Sequence, residues 1–575
     1  MAMQGRAHSP AQRMLALTLA ALLLVPAPGW AQSTPARAPN LPSLGDAGAM
    51  TLAEERDLGD RIARELYRDP SAVDDPVLGD YIDQIWQRLL TAARQRGELP
   101  PELDARMAWR VVQIRDRAVN AFALPGGYLG LQYGLIAATQ DRDELATVMG
   151  HEMSHVSQRH IARSIDQQSR VSPLMLAAMV VGAIAASKSP AAGQALIVGG
   201  QAAAIQNSLN FSRDMEREAD RIGYAVMTQA GFAPDGAVRM FERLQTASRL
   251  NDSGAWPYLR THPLTTERIG DMQSRQALRG KPVTVRDDLE HLLLAARARV
   301  LAETGIDELR TWARAPQDTG FAQQPLIRRA PALYQAAMAQ AALRDWTGAR
   351  ATAQRLAELL QARPGEARPG EARPDAALPA AAQSVAAQAR LLQADLAWRA
   401  GDARAVLELL PAPAPRQVSS SLSAADVLGA DVVAGEPSRR PAPPVAAPHD
   451  ALNSRATLLW RAMALHATGQ AAAASGLLQS WVASHPDDAL AWQTLAQAWQ
   501  AQGNRLRALR AQAEARIAEA DWQGARDRLQ AARDLSRQRT HSSPGDHIEA
   551  SIIDTRYQLA SEKVRQQAEA DARQR

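Results

Sequence analysis

Apolar residues recur at helical spacing over most of this chain. Between residues 51 and 93 they repeat every three or four positions, for example at Leu58 and Ile62, which predicts amphipathic helices. Short strand-like runs follow at 107–114 and at 119–133, the second around a Pro-Gly-Gly turn. The pattern therefore predicts a small sheet set among helices in the first half of the chain.

Past about residue 325 the pattern becomes alanine-rich helices interrupted by two Pro-rich inserts, at 364–374 and 411–449. Gly469 and Gly503 are 34 residues apart, and large and small residues correspond around them, a period that resembles the tetratricopeptide repeat. A generic stack of α-hairpins is the alternative. Both interpretations predict an α-solenoid with a concave binding face.

The N-terminal segment has the order of a secretion signal. Basic residues precede an apolar run at 14–25, and a small-residue cleavage site follows it. The apolar run is too short to span a bilayer, so a cleaved signal peptide at 1–31 is favoured over a permanent anchor. A linker rich in Pro, Ala and Gly follows at 32–49. We therefore expect export, to a bacterial periplasm.

The composition limits which partners and which metal ligands this chain can have. The formal net charge is +4, and no basic cluster with interleaved aromatic residues occurs, which argues against nucleic acid as a partner. The chain has no cysteine, so disulfides and thiolate metal sites are excluded. Any metal ion must therefore be held by histidine, aspartate or glutamate.

The segment 174–205 contains two apolar pieces, each shorter than a membrane span, separated by S-K-S-P-A-A-G. A Gly/Ala-rich helical hairpin within a core is the expected structure. The alternatives are a mobile lid and a surface for peripheral contact with a membrane or with unfolded substrate.

The candidate chemistry centres on the segment V-M-G-H-E-M-S-H. On a helix capped by Asp141 or Asp143, His151 and His155 project from one face, as two ligands of one metal ion must. Glu152 is turned about 100° aside, where it can hold a water and act as general base. Two imidazoles leave a tetrahedral zinc ion short of a third protein ligand. The alternative is a pair of surface histidines.

A second segment, F-S-R-D-M-E-R-E-A-D-R-I-G at 211–223, places Glu216 and Asp220 on one helical face. Glu216 is a candidate third ligand, and Asp220 a candidate acceptor for the free N–H of a ligand histidine. Glu218 is a rival ligand but points to a different face. A solvated charged helix is the alternative.

These residues resemble the M48 metallopeptidases over roughly 50–275. Five segments carry the resemblance, in the family's order: D-P-V-L-G-D-Y, N-A-F-A-L-P-G-G-Y, H-E-M-S-H, S-R-D-M-E-R-E-A-D and H-P-L-T-T-E-R. The secretion signal and the C-terminal repeats narrow it to periplasmic, repeat-bearing members. The resemblance predicts a mainly α protein, with a zincin-like α+β metalloprotease domain at 50–290 and an α-solenoid of tetratricopeptide type at 291–575.

The resemblance also assigns roles to residues. It implies one zinc ion per chain, held by His151, His155 and Glu216, with Glu152 as base and Asp220 beside the metal. It further implies an edge strand that pairs with the substrate backbone, made of Asn120, Ala121, Phe122 and Ala123.

The segment that begins at His262 is open to two interpretations. His262 is expected either to donate to the oxyanion of the tetrahedral intermediate or to occupy the open zinc position and hold the enzyme latent. Arg268 is expected to pair with Asp220 or Glu216. His160 is expected to be structural or exposed, because five residues past His155 it faces elsewhere on a continuous helix.

The expected function is a periplasmic zinc endopeptidase that degrades misfolded or misassembled proteins. By resemblance, its clients are outer-membrane proteins and its partner is the barrel-assembly machinery, with the repeats holding client or machinery. The alternative is a chaperone or adaptor in which the repeats matter and the metal site is latent. An intact Glu152 argues against a dead enzyme, because an adaptor needs no general base.

Overall fold

The computed structural model describes residues 50–167, 212–249, 255–277, 288–303, 305–361, 380–410, 412, 454–538 and 544–574. The predicted signal peptide and linker, the 174–205 hairpin and nearly all of both Pro-rich inserts lie outside these residues.

Short strands and capped helices make up the first half of the described chain. The elements are α1 (Leu52–Arg68), α2 (Pro76–Arg96), α3 (Pro101–Arg106), β1 (Arg110–Ile114), β2 (Ala121–Leu124), β3 (Tyr128–Gln132), α4 (Tyr133–Ala138), α5 (Arg142–Ser157), α6 (His160–Gln167), α7 (Arg213–Gln229), α8 (Asp235–Arg249), α9 (Tyr258–Thr261) and α10 (Thr266–Ala277).

Helices alone, apart from two single 3₁₀ turns, make up the remainder of the described residues. They are α11 (Leu289–Ala302), α12 (Ile306–Arg314), α13 (Leu326–Ala342), α14 (Trp346–Gln361), α15 (Ala380–Arg399), α16 (Ala403–Leu409), α17 (Arg455–Ala467), α18 (Ala471–Ser484), α19 (Ala489–Ala501), α20 (Arg505–Ala518), α21 (Trp522–Arg537) and α22 (Pro544–Gln574). The expected fold class, mainly α with a small sheet and a helical C-terminal region, is confirmed.

The sheet has the strand order β1-β3-β2. Strand β1 runs parallel to β3, and β2 pairs antiparallel with β3 through the turn at Pro125–Gly127. Among the described residues this order leaves β2 at one edge of the sheet, as the resemblance implies. In the pairing of β2 with β3, Phe122 lies opposite Gly130, and Asn120 O accepts from Gln132 N, so the even-numbered residues direct their backbone groups at β3. Ala121 and Ala123 direct theirs outward.

Local hydrogen bonds start the two helices that carry the candidate site. Asp141 is the N-cap of α5, and its side chain accepts from the backbone N–H of Asp143 and Glu144. Ser212 caps α7 by accepting from Met215 N. Of the two expected caps for α5, Asp141 is therefore the right one.

Helices α5 and α7 approach each other closely at a pair of glycines. A Cβ added at Gly223 would lie 2.8 Å from the backbone N of His151 and 2.9 Å from the carbonyl carbon of Gly150. Only glycine fits at this distance, because real Cβ atoms do not come so near to backbone atoms. The glycine contact therefore sets how near the residues of α7 lie to those of α5.

The main hydrophobic core spans both halves of the chain. Buried side chains of the first half, such as Trp86 and Met149, form one cluster with Leu294 of α11, Leu391 of α15 and Trp460 of α17. Burial of this kind stabilises by about 25 cal/mol per Å² of apolar surface. Helices α11, α15 and α17 thus pack into the same core as the sheet and the α5–α7 pair.

A buried arginine reinforces this shared core. Arg297 of α11 donates two hydrogen bonds to Asp75, the N-cap of α2, at 2.8 and 2.6 Å, and lies 2.8 Å from a carboxylate oxygen of Asp395 in α15. Its side chain is 1% exposed. The guanidinium holds the pKa of Asp395 below its usual value, although burial alone would raise it. One cation therefore ties three helices together.

The C-terminal helices form consecutive hairpins with similar turns. Gly401, Gly469 and Gly503 adopt left-handed conformations at the turns, with φ of 80°, 80° and 73°. Arg344 and Ala520 adopt the same conformation at two further turns, with φ of 64° and 57°. The hairpin stack is observed, and its assignment to the tetratricopeptide type stays a prediction.

The last hairpins return to the first half of the chain. Arg110 of β1 donates to the carbonyl of Ala518 and, at 2.7 Å, to that of Asp487. Arg455 of α17 bridges Asp74 and Asp488 at 2.5 and 2.7 Å.

Among the described residues no helix is both long and apolar enough to cross a membrane.

Candidate metallopeptidase active site

Helix α5 brings its two histidines together as the spacing predicts. His151 and His155 are buried, and their Nε2 atoms lie 3.0 Å apart. Helix α7 adds Glu216, whose Oε1 lies 3.4 Å from His155 Nε2 and whose Oε2 lies 3.5 Å from His151 Nε2. The two helices thus direct three donor groups at one point.

A fourth donor comes from the residue after α9. Nδ1 of His262 lies 3.3 Å from His151 Nε2 and 3.0 Å from Glu216 Oε1. All four side chains are buried, and one donor atom from each falls within a group no wider than 4.8 Å. Tetrahedral zinc, with bonds of about 2.0–2.1 Å, spaces its ligands roughly 3.3 Å apart. The donor set therefore fits a zinc ion in both chemistry and spacing.

Asp220 fixes the orientation of His151. Its Oδ1 lies 3.0 Å from His151 Nδ1, and both its oxygens accept from Arg268, at 2.6 and 2.8 Å. A carboxylate can only accept, so Nδ1 carries the proton and Nε2 is left for the cluster. Arg268 also lies 2.8 Å from Glu216 Oε2, so it pairs with both carboxylates proposed for it.

The pKa shifts of His151 and Glu216 reflect the opposite charges that lie against each of them. Burial lowers the pKa of His151, but hydrogen bonds to Asp220 and Glu216 outweigh it and raise that pKa to about 10. Burial would raise the pKa of Glu216, yet His262, His151 and His155 hold it far below its usual value. The carboxylates of Asp220 and Glu216, which stabilise a proton on His151, would also stabilise a metal cation that replaces this proton.

Glu152 lies beside the cluster without joining it. Its side chain is fully buried, and Oε2 accepts from the backbone N–H of Ala123 at 2.9 Å. Oε1 lies 3.4 Å from His262 Nε2 and has no hydrogen-bond partner among the described residues. A buried carboxylate oxygen in this state is placed to hold a water.

The segment that carries His262 is hydrogen-bonded to Val119, two residues before the edge strand β2. Val119 N donates to Ala255 O at 2.8 Å, and Tyr258 N donates to Val119 O at 3.4 Å. The ring of Tyr258 stacks on His262, with centroids 4.6 Å apart. These contacts hold His262 against the donor cluster.

The structure also shows where His160 and Glu218 lie, two residues whose roles the sequence left open. Helix α5 ends at Ser157, and Arg159 turns the chain with φ of 54° before α6 begins at His160. His160 is therefore buried beside His155, with Nδ1 2.9 Å from His155 Nδ1, so the exposed alternative is wrong. Glu218 is not among the four donors and lies instead 3.0 Å from His160 Nε2.

Two helix histidines, a glutamate beside them and a carboxylate from a second helix together define a metallopeptidase of the H-E-x-x-H class. Residues 80–276 match the model of peptidase family M48. The match lies almost entirely within the residues, roughly 50–275, over which the sequence resembles this family.

Parts of the chain are also similar in sequence to proteins with assigned names. The chain is 37% identical to the "Putative beta-barrel assembly-enhancing protease" of Vibrio cholerae, over 56% of this chain and 64% of that protein. It is 32% identical to the "Beta-barrel assembly-enhancing protease" of Escherichia coli, over 49% of this chain and 55% of that protein. The "Mitochondrial metalloendopeptidase OMA1" of Arabidopsis thaliana is 32% identical over 28% of this chain and 30% of its own length. The matches thus span less than two thirds of the length of these relatives.

Proposed function

We propose that this protein is a zinc-dependent endopeptidase with one zinc ion per chain. The observation that carries the proposal is the convergence of three imidazole nitrogens and one carboxylate oxygen beside the buried carboxylate of Glu152. Zinc, when bound, would polarise the scissile carbonyl and lower the pKa of a water. Glu152 would accept a proton from such a water, and its hydrogen bond from Ala123 N holds the carboxylate in place.

Substrate binding is assigned to the edge of β2 that faces away from β3. Ala121 and Ala123 direct their backbone groups away from β3, and Ala123 N already reaches Glu152. An extended peptide added to this edge would lie next to the base, held by its backbone with little regard to sequence. Asn120 and Phe122 belong to the same stretch, but their backbone groups point toward β3.

His262 acts as a latch in this proposal. Its Nδ1 completes the set of four donors, so the position that a substrate carbonyl or water needs is taken by the chain itself. An oxyanion donor would instead stand off from the metal ligands. The contact of 3.0 Å with Glu216 favours the latch.

Replacing His262 by alanine is expected to raise proteolysis. The variant removes the fourth donor and keeps His151, His155 and Glu216, so a larger fraction of molecules can accept substrate. If about a tenth of wild-type molecules are open, the rate of casein cleavage rises roughly tenfold. His547→Ala, an exposed histidine on α22, is the matched control and should cleave casein at the wild-type rate. A fall in cleavage for His262→Ala, with zinc still bound, would instead support the oxyanion role.

The clients and the compartment are proposed from the relatives and the N-terminal pattern. The names of the bacterial relatives refer to β-barrel assembly, which supports misfolded or misassembled outer-membrane proteins as clients and the barrel-assembly machinery as partner. The signal-like residues 1–31 support the periplasm. The peptidase domain is proposed to comprise 50–290, and the repeat region 291–575 to hold client or machinery.

One observation favours a second candidate function. Because four protein donors close the metal site, the chain can also serve as a chaperone or adaptor with a latent centre. The two candidates differ in whether the protein cleaves when the latch is open.

Removal of the metal separates the two candidates. We expect one zinc per chain by elemental analysis. Casein cleavage by wild type and by His262→Ala should stop with chelator and return when zinc is added back. Cleavage that persists in metal-free protein contradicts the proposal. Zinc-loaded protein in which neither wild type nor His262→Ala cleaves casein favours the adaptor.

A further inference from the structure

His160 and Glu218 form a second pair next to the candidate site that the proposed chemistry leaves unused. The side chain of His160 is fully buried, yet both its ring nitrogens have polar neighbours. Nδ1 lies 2.9 Å from Nδ1 of His155, and Nε2 lies 3.0 Å from a carboxylate oxygen of Glu218. Arg163 lies 3.2 Å from the same oxygen, which supports its negative charge.

The chemistry of these contacts allows one arrangement of protons when His160 is neutral. The carboxylate of Glu218 only accepts, so Nε2 of His160 carries the proton. Nδ1 of His160 is then a lone pair and accepts from Nδ1–H of His155. Nε2 of His155 is left deprotonated and faces the donor cluster, which is the form that binds a metal ion.

We infer that His160 and Glu218 are positioning residues that fix His155 as a metal ligand. The inference rests on the proposed function, because it concerns the same metal centre. Asp220 does this for His151 directly, whereas His155 is held through an intervening imidazole. Ligand histidines in metal sites commonly donate their second N–H to such a partner, which fixes the tautomer and raises the basicity of the ligand.

An intervening histidine has an electrostatic reason here. Glu152, Glu216 and Asp220 already place three buried carboxylates around one cation position. A fourth carboxylate in direct contact with His155 would add another desolvated negative charge. The side chain of Glu218 is 31% exposed, so its negative charge stays near solvent. Neutral His160 lies between Glu218 and His155, and it fixes the proton on His155 without adding a buried charge.

Zinc affinity of the full chain, measured by chelator competition, tests the inference. His160→Leu removes the acceptor for His155 and should weaken zinc binding about 10–100-fold. His160→Asn places a carbonyl oxygen near the former Nδ1 and should restore most of the affinity. Glu218→Leu should weaken binding roughly tenfold, and Asp214→Leu, an exposed site on the same helix, should leave it unchanged.

The visible spectrum of the cobalt-substituted protein gives a second readout, in addition to zinc affinity, that does not depend on activity. We expect the visible spectrum of His160→Leu to shift as the geometry at His155 relaxes, with that of His160→Asn close to wild type. Wild-type affinity in His160→Leu, or equal losses in the Leu and Asn variants, overturns the inference. If His160→Leu does not fold, Glu218→Leu decides, because unchanged affinity there overturns it. A wild-type chain that binds no zinc would overturn the proposed function instead.

Discussion

Glu152→Gln is expected to keep its zinc and lose about three orders of magnitude in cleavage rate, the middle of the range for a general base. The glutamine carbonyl can still accept from Ala123 N, so the backbone of β2 stays in place. The amide cannot take a proton from water. Since His262 closes the site, the variant should be made both in wild type and in His262→Ala, and rates of casein cleavage compared within each background.

A distant carboxylate controls for the loss of charge. Glu242→Gln, at an exposed position of α8, should bind zinc and cleave casein at the wild-type rate. A Glu152→Gln variant that degrades casein as fast as its parent would refute the assignment of the base.

Arg297→Ala is expected to lower the free energy of unfolding by about 3–5 kcal/mol, because it leaves buried carboxylates without their cation. Asp75 loses two hydrogen bonds at 2.8 and 2.6 Å, and Asp395 loses a contact at 2.8 Å. Asp75 also caps α2, so the loss reaches the first half of the chain. Chemical denaturation of the full chain, followed by circular dichroism, measures the effect.

The same helix provides the matched control. Arg299 is exposed and bonds to Ala137 O and the side chain of Gln335, so Arg299→Ala should cost less than about 1 kcal/mol. Equal losses in the two variants would show that removal of the long side chain, and not of the buried charge, sets the stability.

Much of the candidate site can be predicted from the sequence, because the relative positions of its residues are set within single helices. Helical spacing alone places His151 and His155 on one face and turns Glu152 aside, and the same period pairs Glu216 with Asp220. The structure brings these residues together with His262 and Arg268. Which of the two roles belongs to His262 could not be read from the sequence, because it depends on how the segment after Ala255 packs against Val119.

His160 shows why a periodic argument fails at the end of a helix. Extrapolation of α5 assumes that the helix continues, but Arg159 leaves it in a left-handed conformation that costs about 1–3 kcal/mol. Distant contacts hold it there: its guanidinium donates to Glu55 at 2.8 Å and to the carbonyl of Met50. No signal within the segment itself marks this turn.

The fold was predictable to a similar degree. Strands, the hairpin turn and the cap at Asp141 follow from local patterns. The ion cluster around Arg297 does not, because it joins residues more than two hundred positions apart. Alanine-rich helices also give little indication of their partners, since small side chains pack equally well against many surfaces.

The pairing of Val119 with Ala255 and Tyr258 has a consequence for how a client gains entry. Like Ala121 and Ala123, Val119 is odd-numbered, so its backbone groups also point away from β3. A peptide that extends along β2 as far as Val119 meets backbone groups that are already bonded to Ala255 and Tyr258. Under the proposed function, a client would have to compete for these groups with unpaired backbone of its own. The backbone groups of folded proteins are already paired in their own sheets, so recognition would depend on the absence of structure in a client and not on its sequence.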